Sequence, residues 1–263
     1  PFFVKFRERM REAFPGENVG LSFGAEGPIT TAYELRGQEF LLDVMDNPPL
    51  AREFLKAVVE SILDYNRWLC SLGGGTLPNP NSGGMCDDAA AFIPARLFPD
   101  LVVPFWEQYY EGMTTGTRHA HVEDLRAEQL PFLEAIGLSS FDPSISPKLV
   151  PPILTAGCRV PYNWRLGCFH YREMECREVQ DFVFMAAADG ASGVHTVVAE
   201  TMCHPAGVAK VHAFIEAAKE AKRLLGEGMS REELRGRVSP AGRAKLWDGW
   251  CGYLGPRSSR SGR

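Results

Sequence analysis

Thr117-Arg118-His119-Ala120-His121-Val122 is the stretch on which the fold reading turns. It belongs to a strand-like run over 116–122. A helical pattern follows over 123–136, and Gly137 ends it as a left-handed cap would. The same unit recurs downstream. A weak strand over 139–145 precedes a proline-started helix over 147–155. A strand over 159–164 precedes a helix over 173–188, closed by Asp189-Gly190. A strand over 194–201, rich in β-branched residues, precedes a helix over 208–225. Upstream, 19–23 reads as a first strand, with a Gly-rich loop and short helix over 24–37. Asp46-Asn47-Pro48-Pro49 then offers a capping side chain and a first-turn proline. Leu50, Phe54, Val58 and Ile62 follow at i+4 spacing, with Leu55, Val59 and Leu63 beside them. They predict one face of a long helix ending near Gly73-Gly74-Gly75. A short strand before Cys86-Asp87-Asp88 and a helix including 98–110 complete the series.

Six strand–helix units predict a parallel sheet with helices outside it, either a closed barrel or an open doubly wound sheet. The preferred reading is an α/β (β/α)8 TIM barrel. Such a barrel needs eight units, so the first one or two are missing or divergent and the barrel is N-terminally incomplete. Residues 1–256 read as one domain, with no long linker or short-period repeat. The Ser/Arg/Gly-rich stretch 257–263 reads as a disordered tail.

Composition narrows the function classes. The chain has 263 residues, 45% hydrophobic and 23% charged, enough to build a sizeable core. Its 28 basic and 33 acidic residues give a net charge of −5, which argues against nucleic acid as the partner. No apolar run reaches the roughly 18 residues of a membrane span. Pro1-Phe2-Phe3-Val4-Lys5 lacks the basic-then-apolar order of a signal peptide. The cysteines are widely spaced, with no Cys-x-x-Cys pair, and predict free thiols in a reducing cytoplasm.

In a parallel α/β fold, ligands sit beyond the C-terminal ends of the strands. The loops expected there carry Asp87 and Asp88; His119 and His121; Asp142; Tyr162, Asn163 and Trp164; and Glu200, Cys203 and His204. In an extended segment His119 and His121 point the same way, so two imidazoles can meet one ion. Cys203 could add a thiolate. The bland alternative is that one histidine bonds locally and the other is solvated. Asp87 and Asp88 are adjacent, so at most one faces a pocket. Acid/base chemistry and helix capping are equally open to them. His170, His195 and His212 read as structural.

The order of these segments resembles the uroporphyrinogen decarboxylase superfamily, over about residues 20–225. Gly27-Pro28-Ile29-Thr30-Thr31-Ala32 with Gly37 resembles its Gly-Pro-Phe-Thr segment, and Asp46-Asn47-Pro48-Pro49 its acidic-x-Pro helix start. Asp87-Asp88 with 98–105 resembles its Asp-rich loop and following helix. His119-Ala120-His121 lies where the corrinoid-linked, zinc-dependent methyltransferase branch has His-x-Cys. Thr201-Met202-Cys203-His204-Pro205 lies where that branch has its late cysteine. The resemblance implies a barrel enzyme in which His119, His121 and Cys203 hold zinc. The zinc would activate a thiol or similar acceptor for a methyl group from a corrinoid partner protein. Asp87, Asp88 and Glu200 would be carboxylates acting beside the metal, and Tyr162 and Trp164 would wall a small-molecule pocket. The alternatives are a metal-free lyase that decarboxylates uroporphyrinogen or another polycarboxylate, and a non-catalytic barrel that binds a ligand or partner.

Overall fold

In the computed structural model, which describes residues 2–21, 25–146 and 148–247, five short parallel strands are set among helices. Four helices come first: α1 (Phe2–Ala13), α2 (Pro28–Arg36), α3 (Gln38–Asp46) and α4 (Pro48–Ser71). Then follow β1 (Ser82–Cys86), α5 (Phe98–Leu101), α6 (Val103–Met113), β2 (Thr117–His121), α7 (Pro131–Ala135), β3 (Ser140–Asp142) and α8 (Pro151–Gly157). The chain continues through β4 (Asn163–Leu166), α9 (His170–Glu173), α10 (Cys176–Ala188), β5 (Gly193–Thr196), α11 (Pro205–Gly226), α12 (Arg231–Arg235) and α13 (Pro240–Lys245).

β1, β2 and β3 form one parallel sheet in that order, and β4 and β5 form a second. A parallel bridge between Phe141 and Tyr162 links β3 to the start of β4. This corrects the barrel expectation. The structure is about 60% helical, with only a three-stranded and a two-stranded sheet, which does not fit a full (β/α)8 barrel. Of the expected first strand, 19–21 are irregular and 22–24 lie outside the described residues. The 194–201 strand also stops early. After Thr196 the chain leaves the sheet, and Glu200–Met202 form a 3-10 turn. Proline reshapes two expected helices. The 98–110 helix breaks into α5 and α6 at Val102, with Pro104 in the first turn of α6. The 123–136 helix shrinks to a 3-10 turn and α7, which begins at Pro131. Position 147 of the expected 147–155 helix and the 257–263 tail lie outside the described residues.

The helix-facing side of the sheets holds Met85, Ala120, Phe141, Trp164 and Leu166, all buried. Trp164 meets Trp247, which also stacks edge-on against Phe182 of α10. Burial of Met85, Phe141 and Leu166 contributes roughly 1.5–3 kcal/mol each. α4 packs its Leu55, Val58, Val59, Ile62 and Leu63 face inward, as its periodicity predicts. No helix among the described residues is long and apolar enough to cross a membrane.

Candidate functional site

The other face of the sheets carries most of their polar side chains. Cys86, His119, His121, Ser140, Asp142 and Asn163 line a cavity of about 320 Å³ there. Arg165 and His195 continue the row, as register partners on β4 and β5. Parallel sheets are usually apolar on both faces because helices cover both. In Asn163-Trp164-Arg165-Leu166, Trp164 and Leu166 are buried while Asn163 is exposed and Arg165 half-buried, so one face of this sheet is left less covered.

His121 sits at the end of β2, opposite Cys86 on one side and Asp142 on the other. Its Nδ1 lies 2.9 Å from Asp142 Oδ2. With the proton on Nδ1, donated to the carboxylate, Nε2 is left to bind or accept. That atom stands 3.4 Å from Glu123 Oε1 and 3.8 Å from Asp88 Oδ1. Asp88, His121 and Glu123 form the one group of three His, Cys, Asp or Glu donors found among the described residues, all within 4.8 Å of one another. Tetrahedral ligands at about 2.1 Å from an ion stand roughly 3.4 Å apart, so these donors need little movement to share one.

The backbone explains the gathering. After Val122 the chain turns tightly, with Asp124 at φ 57° in the left-handed region that aspartate tolerates. Glu123, two residues on from His121, comes to the same side of the chain, and its N–H donates to Asp88 Oδ1 at 2.8 Å. Behind His121, Asp142 also accepts from Arg165 Nη2 at 2.6 Å and from the Ser144 N–H at 2.8 Å. Burial pushes the Asp142 carboxyl up, but these hydrogen bonds and the Arg165 charge outweigh it and hold the group below its usual range. The Asp142 hydrogen bond raises His121. Burial raises Asp88.

Asp87 has a different task. It is fully buried and accepts from Trp106 Nε1 at 2.6 Å, Thr30 N at 2.6 Å and Ile29 N at 3.3 Å. It therefore caps α2 from a distance. Burial pushes it up to about 6 against these donors. Gly27 is required beside it, because a Cβ there would lie 2.5 Å from Asp87 Cβ. Of the adjacent aspartates, Asp88 alone belongs to the donor group.

The remaining sequence-derived residues fall elsewhere. His119 shares the cavity with His121, but its ring nitrogens lie 2.7 Å from Ser140 Oγ and 2.9 Å from Thr117 Oγ1. Cys203 is exposed beyond β5, with Sγ 4.0 Å from Ala199 O, and Glu200 is exposed in the 3-10 turn. Neither is in the donor group. Tyr162 and Trp164 are buried on the helix side. Tyr162 bonds Thr155 and the Pro151 carbonyl, and the open-face places on β4 belong to Asn163 and Arg165. Sequence reasoning passed over Glu123 and Arg165 and read His195 as structural. The signal for Glu123 was on the page: it extends the His119-x-His121 alternation by one more step.

No model of a known protein family matches the chain, and neither does any curated protein or solved structure.

Proposed function

We propose that the chain is a metal-dependent enzyme acting on a small polar molecule at the open sheet face. The cation would be held by His121, Asp88 and Glu123. The observation that carries this reading is His121, fixed by Asp142 through Nδ1 and presenting Nε2 to two carboxylates. A carboxylate behind a metal-binding histidine sets its tautomer and raises its basicity. Bound there, a divalent ion supplies Lewis acidity to a coordinated substrate oxygen or thiol. Zinc at this place would serve the methyl transfer that the family resemblance implies, with a corrinoid protein as donor. The one nitrogen and two oxygens also suit harder ions such as Mn2+.

The chain's own residues do the rest. Asp142 orients His121, Arg165 neutralises Asp142, and the Glu123 N–H fixes Asp88. A second reading, metal-free lyase chemistry, is favoured by the same His121–Asp142 dyad, whose Nε2 can serve as a base. Elemental analysis after dialysis against Zn2+ or Mn2+ tests the choice. About one ion per chain, lost in His121→Ala and Asp88→Ala, is expected. No bound ion, with turnover unaffected by exhaustive chelation, would transfer the function to the dyad alone.

A further inference from the structure

The polar face continues past the metal candidate into a second cluster, and its hydrogen bonds fix what it can receive. Arg165 donates Nε to His195 Nε2 at 2.8 Å, Nη1 to Ser144 Oγ at 3.1 Å and Nη2 to Asp142 Oδ2 at 2.6 Å. A guanidinium only donates, so His195 Nε2 must accept. His195 is therefore neutral with its proton on Nδ1, a donor with no acceptor among the described residues. Two of the five Arg165 N–H groups are likewise unspent. Asn163, the neighbour of Arg165 on the open face, adds a side-chain amide. Gly193 makes room for it, since a Cβ there would lie 2.4 Å from Asn163 Oδ1. Ser144 is 3% exposed and sits at φ 55°, a left-handed conformation unusual for serine. Held there, its hydroxyl sets the rotation of the guanidinium.

We propose that Arg165, His195 and Asn163 form a subsite for a carboxylate group of the substrate, beside the cation at His121, Asp88 and Glu123. The inference deepens the metal-dependent reading and rests on it only for the substrate's second anchor. Asp142 Oδ2 bonds both His121 and Arg165, so the two subsites adjoin and one small acid can span them. Its carboxylate meets the donors of β4 and β5, and a neighbouring hydroxyl or carbonyl oxygen meets the cation. Charge selects a carboxylate over a phosphate. Arg165 is already paired with Asp142, and Asp88, Glu123 and Glu26 lie on the neighbouring side of the face. A group bearing a single negative charge is tolerated there, whereas a phosphate group bearing up to two meets repulsion.

Calorimetric titration of the Mn2+-loaded protein with L-malate tests this, with malamide and inorganic phosphate as comparison ligands. Mn2+ affinity is measured separately for each variant. Malate is expected to bind about tenfold or more tightly than either comparison ligand. His195→Ala and Asn163→Ala are each expected to weaken malate by about tenfold while leaving Mn2+ affinity within about twofold. Arg165→Lys keeps the charge but loses the planar fork, and is expected to weaken malate as well. Malate affinity unchanged in all three variants, or a preference for phosphate or malamide, overturns the proposal. If Mn2+ fails to bind while malate binds and the variants lose it, the metal reading falls and the subsite stands. If Mn2+ binds and malate does not, the subsite falls and the metal reading stands.

Discussion

The segments that follow β2 and β5 have similar chemical inventories and opposite outcomes. From the last residue of β2 the chain carries His121, Glu123 and Asp124; after β5 it carries Glu200, Cys203 and His204. The first segment stays at the end of the sheet, where the turn after β1 and the strand β3 add Asp88 and Asp142. The second leaves the sheet early. Val197 and Val198 are 49% and 58% exposed, and His204 caps α11 by accepting from the Gly207 N–H. Residue type alone does not make a site. Paired strands on both sides do.

Substitutions can break or sharpen this contrast. The largest expected effect is on cation affinity: a loss of about 100-fold or more in His121→Ala, against a change within about twofold in Cys203→Ala. A titration with Zn2+ in competition with a chromophoric chelator reads both. Equal losses in the two variants would erase the distinction. Next comes the support behind His121. Asp142→Asn is expected to lower cation affinity by about 10- to 100-fold, because the amide no longer fixes the imidazole tautomer. The equivalent change beyond β5, Glu200→Gln, is expected to do nothing measurable.

Smaller effects concern stability. His170 is fully buried beside β4, and its Nδ1 accepts from the Gly167 N–H at 3.0 Å. Burial depresses it to about 4. Its neutral form therefore favours folding fully above pH about 6.5, and that contribution is lost as pH falls from there through about 4. The loss is bounded at roughly 3 kcal/mol. Denaturant melts across this window should show a limb that flattens in His170→Gln. The smallest expected effect is at the turn. Asp124→Ala is expected to cost about 1 kcal/mol and Asp124→Gly to cost less, since only the former strains the left-handed backbone. Thermal melts of the two variants compare them directly.

Much of the local structure was legible in the sequence. The α4 face, α11 and the β2 segment follow from periodicity. The two histidines share a face because alternate strand residues must. The barrel was not legible, because counting strand–helix units says nothing about closure. Val194 to Thr201 is rich in β-branched residues, yet pairing ends at Thr196, where β4 has also ended. Propensity proposed a strand that no neighbour was there to pair. At the site, the alternation of Asn163-Trp164-Arg165-Leu166 already placed Trp164 and Arg165 on opposite faces. An aromatic residue drew the reading toward the pocket, while the apolar side in fact turned to the helices. Asp88 and Glu123 were not legible as a pair, because they meet through a hydrogen bond between segments 35 residues apart, which no motif announces.

X-ray absorption spectroscopy of the zinc-loaded protein tests the central claim most directly, because it counts the atoms around the ion. A first shell of nitrogen and oxygen at about 2.0–2.2 Å, with an imidazole signature and no sulfur, is the result predicted for His121, Asp88 and Glu123. A sulfur scatterer at about 2.3 Å that disappears in Cys203→Ala would contradict it. It would place the metal with the segment after β5.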